Sequence, residues 1–421
     1  MSNGFWRPSN YLLFHLLARF AGLEPLAYHL TALALHAVVC AQTGLLARRM
    51  IGGGSRIAWL ASLMMATHFA AFPVALILSN AGDSILAIGL LGALLMAERW
   101  RNDRSPKSLT GLYAFALLAF TGKETAVVVP VVLGLWLVLR GEWRGPLRRH
   151  VLLLTAGAAL LGSLSLHWMS QRPSYLLDSR VAATEASIAV TALDYLAGAF
   201  WPWSAEFLAW PLTPFPVAEP GLARWLAALG LAGAGLSFAR RRSVVGFAAL
   251  SILLVVLPVS VLGSELAPRY LYAALPFVCL AWLAGLRHFG PGRFLGRALR
   301  ILAVGVWGTF LAAFVWSPTP RIHREIADDM EAFAAAVHRE APAWSSGDRV
   351  LILDLPHPGD PANQWVYSQL LLNVLLPETP VTLTVNPADA AADWRYRWEN
   401  GALVAWEPAD GERASRPLLG L

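Results

Sequence analysis

Charged residues are scarce in this sequence. Asp, Glu, Lys and Arg make up 14% of its 421 residues, whereas soluble domains contain about 25%. Hydrophobic residues account for 57% of the chain, above the ~45–50% that is usual in soluble proteins. A soluble protein of this length would need more charge to cover its surface. The composition therefore excludes a disordered chain, a soluble enzyme and a coiled coil, and it indicates a polytopic membrane protein.

Cysteine is also scarce, and the sequence shows no internal repeat. Cys40 and Cys279 both lie inside apolar runs, which argues against a disulfide framework or a metal cluster. The first apolar stretch, residues 11–21, contains His15 and Arg19 and follows no basic leader, so it lacks the pattern of a signal peptide. The basic residues behind the net charge of +6 lie in short loops between apolar runs, which indicates membrane topology rather than nucleic-acid binding.

Ten apolar segments are candidate membrane spans, although several are shorter than the ~20 residues needed to cross ~30 Å of hydrocarbon. They cover residues 28–47, 57–78, 84–98, 109–121, 125–139, 150–168, 225–239, 244–262, 269–286 and 301–316. The predicted fold is therefore an all-α polytopic membrane protein with about ten transmembrane helices.

Arg and Lys residues concentrate in one set of alternate loops. These loops are residues 48–56, 99–107, 140–149, 240–242 and 287–300. Because positively charged loops remain in the cytoplasm, residues 1–27, the loop 169–224 and everything after residue 316 are predicted to lie outside it. The predicted location is the inner (plasma) membrane, crossed several times.

The chain divides into three predicted regions. Residues 1–27 form an amphipathic segment on the outer face, and residues 28–316 form the transmembrane domain. Within that domain, residues 169–224 are rich in Trp, Pro and acidic groups. This composition predicts a large loop on the outer leaflet, where an interfacial helix would fit. Residues 317–421 have a soluble composition and form a predicted extracytoplasmic α/β domain.

The C-terminal domain shows its own alternation of helix and strand patterns. Residues 322–340 have helical periodicity, and residues 349–354 and 381–385 are typical of short strands. Residues 363–376 are predicted to form a helix between these two strands, and residues 402–406 a third strand.

Ionisable side chains near apolar spans are candidate functional residues, because charge is costly in a membrane. On the predicted outer side these residues are Arg7, His29, His68, Asp83, Lys123, Glu124, Glu265 and Arg269. Arg and Lys bind phosphate through charge-assisted hydrogen bonds, and a carboxylate can act as a general base. The set therefore suits a phosphorylated lipid and a proton transfer.

Each of these residues also has a purely structural interpretation. Asp83 can cap the helix that follows it, and Arg269 can extend to lipid headgroups. Lys123 and Glu124 can face water at a tight turn. The histidines can hydrogen-bond between packed helices. These alternatives stay open, but the shared side of the membrane makes the set a stronger signal than any one member.

Five short motifs follow one another along the chain. They are Phe5-Trp6-Arg7-Pro8, Tyr28-His29-Leu30-Thr31, His68 with Ser79 and Asp83, Gly122-Lys123-Glu124, and Arg269-Tyr270-Leu271-Tyr272. Their order resembles the GT-C superfamily of membrane glycosyltransferases, in particular the protein O-mannosyltransferase-like branch that includes tetratricopeptide-bearing members. The resemblance covers roughly residues 5–140 and 264–286.

The resemblance implies a reaction. Such enzymes transfer a sugar from a polyprenyl-phosphate-linked donor lipid to a protein, lipid or glycan acceptor on the outer face of the membrane. The implied partners are therefore the donor lipid, the acceptor and the bilayer, and not nucleic acid. No cofactor is fixed by the motifs, and a divalent metal ion stays open.

The resemblance also implies roles for residues of this chain. The residues that would hold the donor phosphate are Arg7, Lys123 and Arg269. The supporting catalytic carboxylates would be Asp83 and Glu124. The residues that would line the sugar or lipid pocket are His29, His68, Tyr270 and Tyr272.

The sequence departs from the family pattern at its start. The family's first transmembrane helix and the acidic motif of its first outer loop precede the point where this sequence begins, so its main catalytic carboxylate is not among these residues. A non-catalytic or truncated relative that binds a polyprenyl lipid or a partner is therefore the main alternative. A lipid transporter is a weaker one, since it predicts charges deep within spans and inverted repeats. An O-antigen-ligase-like polymerase fits the order of motifs less well.

Overall fold

The computed structural model places most of the chain in two compact units, Met1–Trp316 and Ser317–Leu421. The residues whose structure is described are 7–22, 24–76, 78–170, 185–200, 220–262, 268–288, 305, 308, 331–353, 376, 379, 381–384, 392–399 and 402–405.

The first unit is helical. Its helices are α1 (Pro8–Ala21), α2 (Pro25–Ile51), α3 (Gly54–Thr67), α4 (Phe72–Leu76), α5 (Ala81–Asp103), α6 (Pro106–Gly122), α7 (Val129–Arg140), α8 (Leu147–Ser170), α9 (Glu185–Phe200), α10 (Pro220–Arg241), α11 (Val244–Leu262) and α12 (Leu275–His288). Short 3-10 segments join several of them, at Phe69–Ala71, Leu78–Asn80, Glu124–Val128 and Pro268–Ala274.

Local sequence explains where several helices begin and end. Helix α6 starts with Pro106 in its first turn, and the Ser105 hydroxyl accepts a hydrogen bond from the Ser108 amide. This is a standard N-cap that satisfies one of the free amides of the first turn. Helix α2 also starts with a proline and ends at Gly52, whose φ of +77° is in the region that favours glycine.

The predicted continuous span over residues 57–78 is wrong. Helix α3 ends at Thr67, and a 3-10 turn and the short helix α4 follow it. The break begins at His68, which has an extended backbone (φ −72°, ψ 131°). Its Nδ1 accepts a hydrogen bond from the Ala70 amide, so the side chain satisfies a backbone group that a continuous helix would have paired. The apolar composition of this segment conceals the break.

The predicted outer-leaflet loop at 169–224 contains a helix that packs into the core. Tyr195, Leu196 and Ala199 of α9 are all buried in the main hydrophobic cluster of the first unit. This helix contacts α10 and α11, so it is an integral element of the bundle rather than a surface segment. The Trp-Pro motifs of the loop, at 201–203 and 210–211, lie outside the described residues.

Helix α5 is the central helix of the first unit. It contacts α2 and α6, and 94% of the residues in its most apolar stretch are buried. Glycines allow the close approach to α6, since a Cβ added at Gly89 would lie 2.6 Å from the Cβ of Ala119. Leu90, Leu91 and Leu94 fill the core around it.

Within the described ranges, four helical segments are long and apolar enough to cross a membrane: Pro25–Ile51, Ala81–Asp103, Leu147–Leu164 and Arg269–Arg287. The expected count of ten spans is not supported, because several predicted spans form short helices. Helix α7, for example, has 12 residues, or roughly 18 Å at 1.5 Å per residue. Large apolar side chains are nevertheless exposed on outer helices, including Trp59 on α3 and Trp225 on α10. Broad exposed apolar surface is expected where lipid replaces water, and the chain has the character of a helical membrane protein.

The second unit contains a four-stranded mixed sheet. Its strands are β1 (Arg349–Leu353), β2 (Thr382–Thr384), β3 (Trp394–Glu399) and β4 (Ala402–Ala405), in the order β2-β1-β3-β4. Strand β1 is parallel to β2 and to β3, and β3 is antiparallel to β4.

The core of this unit lies between the sheet and the helical residues 331–340. Phe333 and Val337 from the helical segment pack with Val350, Ile352 and Tyr396 from the sheet. The three predicted strands are present, whereas β3 was not predicted. The predicted helix at 363–376 lies outside the described residues except for residue 376, and the predicted span at 301–316 lies outside them except for residues 305 and 308.

Candidate functional site

The first structural feature of the site is the close approach of α5 and α6. The two helices are antiparallel neighbours joined by Arg104 and Ser105, so the start of α5 lies beside the end of α6. Gly122 makes this contact possible, because an added Cβ would lie 2.5 Å from Ile85 of α5. Asp83 in the first turn of α5 and Lys123 after the last residue of α6 therefore meet.

Lys123 and Asp83 form a buried ion pair. The Lys123 Nζ donates a short hydrogen bond to Asp83 Oδ1, and the two side chains are only 5% and 9% exposed. The same ammonium lies 5.0 Å from the centre of the Tyr270 ring, within the range of a cation–π interaction. The buried cation is thus stabilised by one carboxylate and one aromatic face.

Arg7 and Glu124 form a second ion pair beside the first. The Arg7 Nε and Nη2 donate to the two carboxylate oxygens of Glu124 at 2.8 and 2.7 Å. This two-point geometry fixes the start of α1 against the turn after α6, and Ser9 and Thr121 add a hydroxyl contact of 2.6 Å. Burial opposes ionisation of Glu124, but the charges of Arg7 and Lys123 and the Arg7 hydrogen bonds outweigh it. The pKa of the Glu124 carboxyl is therefore below its ordinary value.

Tyr270 connects these pairs to the chain before α12. The Arg269 guanidinium carbon lies 5.0 Å from the centre of the Tyr270 ring, and its Nη2 is 3.3 Å from the Tyr270 hydroxyl. Tyr195 of α9 packs edge-on against the same ring, with centroids 6.5 Å apart. Tyr270 is therefore in contact with both Lys123 and Arg269, and we call Arg7, Asp83, Lys123, Glu124, Arg269 and Tyr270 the charged cluster.

The remaining predicted pocket residues occupy different surroundings. Tyr272 is fully buried, and its hydroxyl is 2.7 Å from Nδ1 of His36 on α2, so it links α2 to the segment before α12. His68 is buried too, and its ring nitrogens are hydrogen-bonded to backbone groups of Ala70 and Ala199. His29 lies on an exposed part of α2. Glu265 falls outside the described residues.

The charged cluster brings together three cations and two carboxylates of the described residues. Both carboxylates already face a cation, so they hold Arg7 and Lys123 in place. In the described part of the chain, no three side chains of His, Cys, Asp and Glu are arranged to hold a metal ion. The geometry is therefore suited to holding an anionic group beside an aromatic wall.

Several polar residues near the cluster or elsewhere in the unit were not predicted from the sequence. Asn10 is buried on α1, and its Oδ1 has no hydrogen-bond partner within the described residues. Tyr195 was hidden in the predicted loop. Glu98 at the far end of α5 and Asp194 on α9 are buried carboxylates. Glu98 was missed because it lies at the predicted cytoplasmic end of its span, and Asp194 because it lies in the predicted loop 169–224 rather than beside a predicted span.

The comparisons with known proteins give one relative. Over 139 residues, or 33% of this chain, the sequence is 34% identical to protein O-mannosyl-transferase Tmtc1 of Drosophila melanogaster. The match covers 16% of that protein's length, so the chain spans a small part of its relative. No family model matches the sequence, and no solved structure matches it. The similarity supports a distant relationship to glycosyltransferases.

Proposed function

We propose that this chain is a membrane glycosyltransferase of the GT-C type. It transfers a sugar from a polyprenyl-phosphate-linked donor to a protein, lipid or glycan acceptor on the extracytoplasmic face. Two findings support the proposal: the distant similarity to a protein O-mannosyl-transferase, and the charged cluster at one end of the membrane-length helix α5.

The grouping of Lys123 and Arg269 against the Tyr270 ring is the observation that carries the proposal. A polyprenyl-phosphate-sugar is a phosphodiester with a single negative charge, which two neighbouring cations attract. When the bond between the anomeric carbon and the phosphate oxygen breaks, a second negative charge develops on the leaving phosphate. Lys123 and Arg269, each 5.0 Å from the centre of the Tyr270 ring, would stabilise that charge as preorganised cations do in other transfer reactions.

The acceptor side of the reaction needs a proton acceptor. An acceptor hydroxyl oxygen would bond to the anomeric carbon, and its proton would pass to a base. Asp83 and Glu124 act in this proposal as supporting carboxylates that position Lys123 and Arg7. The proposal also places the C-terminal unit on the extracytoplasmic side of the inner (plasma) membrane.

A second function is favoured by the same ion pairs. Both carboxylates of the cluster are already neutralised by Arg7 and Lys123, as in a purely structural network. A non-catalytic membrane protein that binds a polyprenyl lipid or a partner would keep such a network without transferring a sugar.

Transfer and binding must be measured separately to distinguish the two functions. The full chain would be reconstituted in liposomes with a panel of labelled polyprenyl-phosphate sugars, and donor binding would be measured beside product formation. In the enzyme, R269A should lower both donor affinity and transfer. R19A, which removes an exposed arginine of α1, is the matched control. Donor binding without transfer for any sugar would establish the non-catalytic function instead.

Topology provides an independent test. Reporter fusions or labelled cysteines at positions 123 and 269 should place both residues on the extracytoplasmic side. If the two positions faced opposite sides of the membrane, no common phosphate site could exist.

A further inference from the structure

A second charged site lies at the opposite end of α5. A cavity of about 400 Å³ is lined there by Arg49 from the end of α2 and by residues of the last turns of α5. The α5 residues are Glu98, Arg99, Asn102 and Asp103. We propose that this cavity binds a phosphate group at the membrane face opposite the charged cluster.

The buried carboxylate beside the cavity is already fully engaged. Glu98 accepts hydrogen bonds from Arg101 Nη2 at 3.0 Å, from Arg140 Nε at 3.0 Å and from Trp136 Nε1 at 3.2 Å. Two guanidinium groups thus face one carboxylate. Glu98 therefore has no remaining capacity to neutralise a further arginine.

Arg49 is the arginine left in excess. Its Nη1 donates to the Leu95 carbonyl at 2.8 Å, and within the described residues no carboxylate oxygen lies within 4.0 Å of its guanidinium. The residue is exposed on the last turns of α2. Its remaining donors can therefore bind an acceptor that enters the cavity.

Arg99 is the second cation that can turn toward a ligand. It pairs with Asp103 at 3.2 Å, but both side chains are well exposed. Asp103 also accepts hydrogen bonds from the Ser105 amide and the Ser108 hydroxyl, so it stays satisfied if Arg99 leaves. Exposed ion pairs of this kind contribute little to stability. Arg99 can therefore exchange Asp103 for a stronger acceptor such as phosphate.

The charge balance favours an anion. Around the cavity the four cations Arg49, Arg99, Arg101 and Arg140 face the two carboxylates Glu98 and Asp103, an excess of two positive charges. The carboxyl ends of α2 and α5 lie here, and each carries a partial charge of about −0.5. The excess of arginine outweighs these helix ends, so roughly one positive charge remains for a ligand.

The position of the cavity indicates the source of the phosphate. It lies at the ends of two helices of membrane length, Pro25–Ile51 and Ala81–Asp103, which is the level of lipid headgroups. Basic pockets between spans are common sites for anionic phospholipid headgroups. A soluble phosphate compound offers the same chemistry and is the second source to be tested.

The test compares variants of the two cavity arginines with a variant of Arg48, the neighbour of Arg49 on α2. The full chain would be purified in detergent with phosphatidylglycerol, and retained lipid would be counted by native mass spectrometry. R49A and R99A should retain about ten-fold less phosphatidylglycerol, since hydrogen bonds to charged groups have energies that correspond to this factor. R48A is the matched control, because Arg48 is exposed on the same turn of α2 but does not line the cavity.

Competition by inorganic phosphate and retention of a lipid without net charge show which phosphate compound the cavity binds. Retention of phosphatidylglycerol that resists added inorganic phosphate supports a lipid site, and displacement by inorganic phosphate supports a site for soluble phosphate compounds. Equal retention of phosphatidylcholine, or equal loss in R48A and R49A, would overturn the proposal. Thermal unfolding of each variant shows whether it is folded, so that loss of binding is measured on folded protein.

Discussion

The buried carboxylates at the two ends of helix α5 are stabilised by different arrangements of cations. At its first turn, Asp83 pairs with a single buried lysine, and Glu124 pairs with Arg7 close by. At its last turns, the buried Glu98 is shared by two arginines and a tryptophan. One end uses one cation for each carboxylate, whereas the other surrounds one carboxylate with several donors.

This difference predicts different responses to mutation. A one-to-one buried pair has no substitute when a partner is removed, because the remaining charge is left without compensation in a low-dielectric site. A carboxylate with three donors keeps most of its hydrogen bonds when one donor is lost. The first end should therefore be the more sensitive to substitution, and the last end the more tolerant.

Lys123→Ala should have the largest effect. It leaves Asp83 buried without its cation, and breaking a buried pair costs about 3–5 kcal/mol. Thermal unfolding of the full chain in one detergent measures the effect. K107A, at the exposed start of α6, is the matched control. The comparison fails if both lysine variants unfold at the same temperature.

Arg7→Ala should come next, with a loss of about 2–3 kcal/mol at neutral pH, because it removes two hydrogen bonds to a charged group. This loss should depend on pH. The pKa of Glu124 is depressed in the folded protein, so the pair's contribution is present above the ordinary carboxyl pKa of about 4.3. It is lost as the pH falls through the lower folded value.

The pH dependence can be measured by comparing the unfolding temperatures of the native chain and R7A in neutral and acidic buffers. The difference between them should shrink as the pH falls. A difference that stays constant down to strongly acidic pH would show that the Glu124 charge contributes nothing.

Arg140→Ala should be milder, at about 1–2 kcal/mol, since one hydrogen bond to a charged group is lost. Glu98 keeps its bonds from Arg101 and Trp136. R144A, on the exposed turn after α7, controls for the removal of one positive charge. A destabilisation as large as that of K123A would contradict the contrast between the two ends of α5.

Arg99→Ala should have the smallest effect on stability, below about 0.5 kcal/mol, because its pair with Asp103 is exposed. D103A is the informative partner variant, since Asp103 also accepts hydrogen bonds from the Ser105 amide and the Ser108 hydroxyl at the start of α6, and its loss should cost about 1 kcal/mol. Equal unfolding temperatures for R99A and D103A would show that these two hydrogen bonds do not stabilise the protein. The same R99A protein should still lose bound phosphatidylglycerol.

Much of the helical unit could be predicted from apolar length, and the exceptions have clear causes. The antiparallel pair α5 and α6 was expected, and so was the location of Asp83 and Lys123 on the same side of the membrane, but their pairing was not. The break after α3 was not expected, because an apolar run of this length is equally compatible with one helix or with several short ones. A helix within the loop 169–224 was expected at the membrane interface, but the burial of α9 in the core was not, because the Trp-Pro motifs of that loop favoured an interfacial location.

The sequence of strand β3 contains a strand pattern from which the strand could have been predicted. In β3, Trp394, Tyr396 and Trp398 alternate with Arg395 and Arg397. This period of two is the pattern of a half-buried strand. The aromatic residues contribute to the core of the unit, with Tyr396 buried and Trp398 packed edge-on against Phe333. The strand was therefore predictable, whereas its parallel pairing with β1 was not.

The sequence by itself determined that this chain has too little charge for a soluble protein, which residues carry that charge, and which of them lie near the ends of apolar helices. These properties follow from composition and spacing along the chain. Only the tertiary structure decided the partners, since Arg7 and Glu124 are 117 residues apart and Lys123 and Asp83 are 40 apart. Close packing of the helices at Gly82 and Gly122 brings Asp83 and Lys123 together. This packing is decisive because hydrogen bonds and buried ion pairs form only at contact distance.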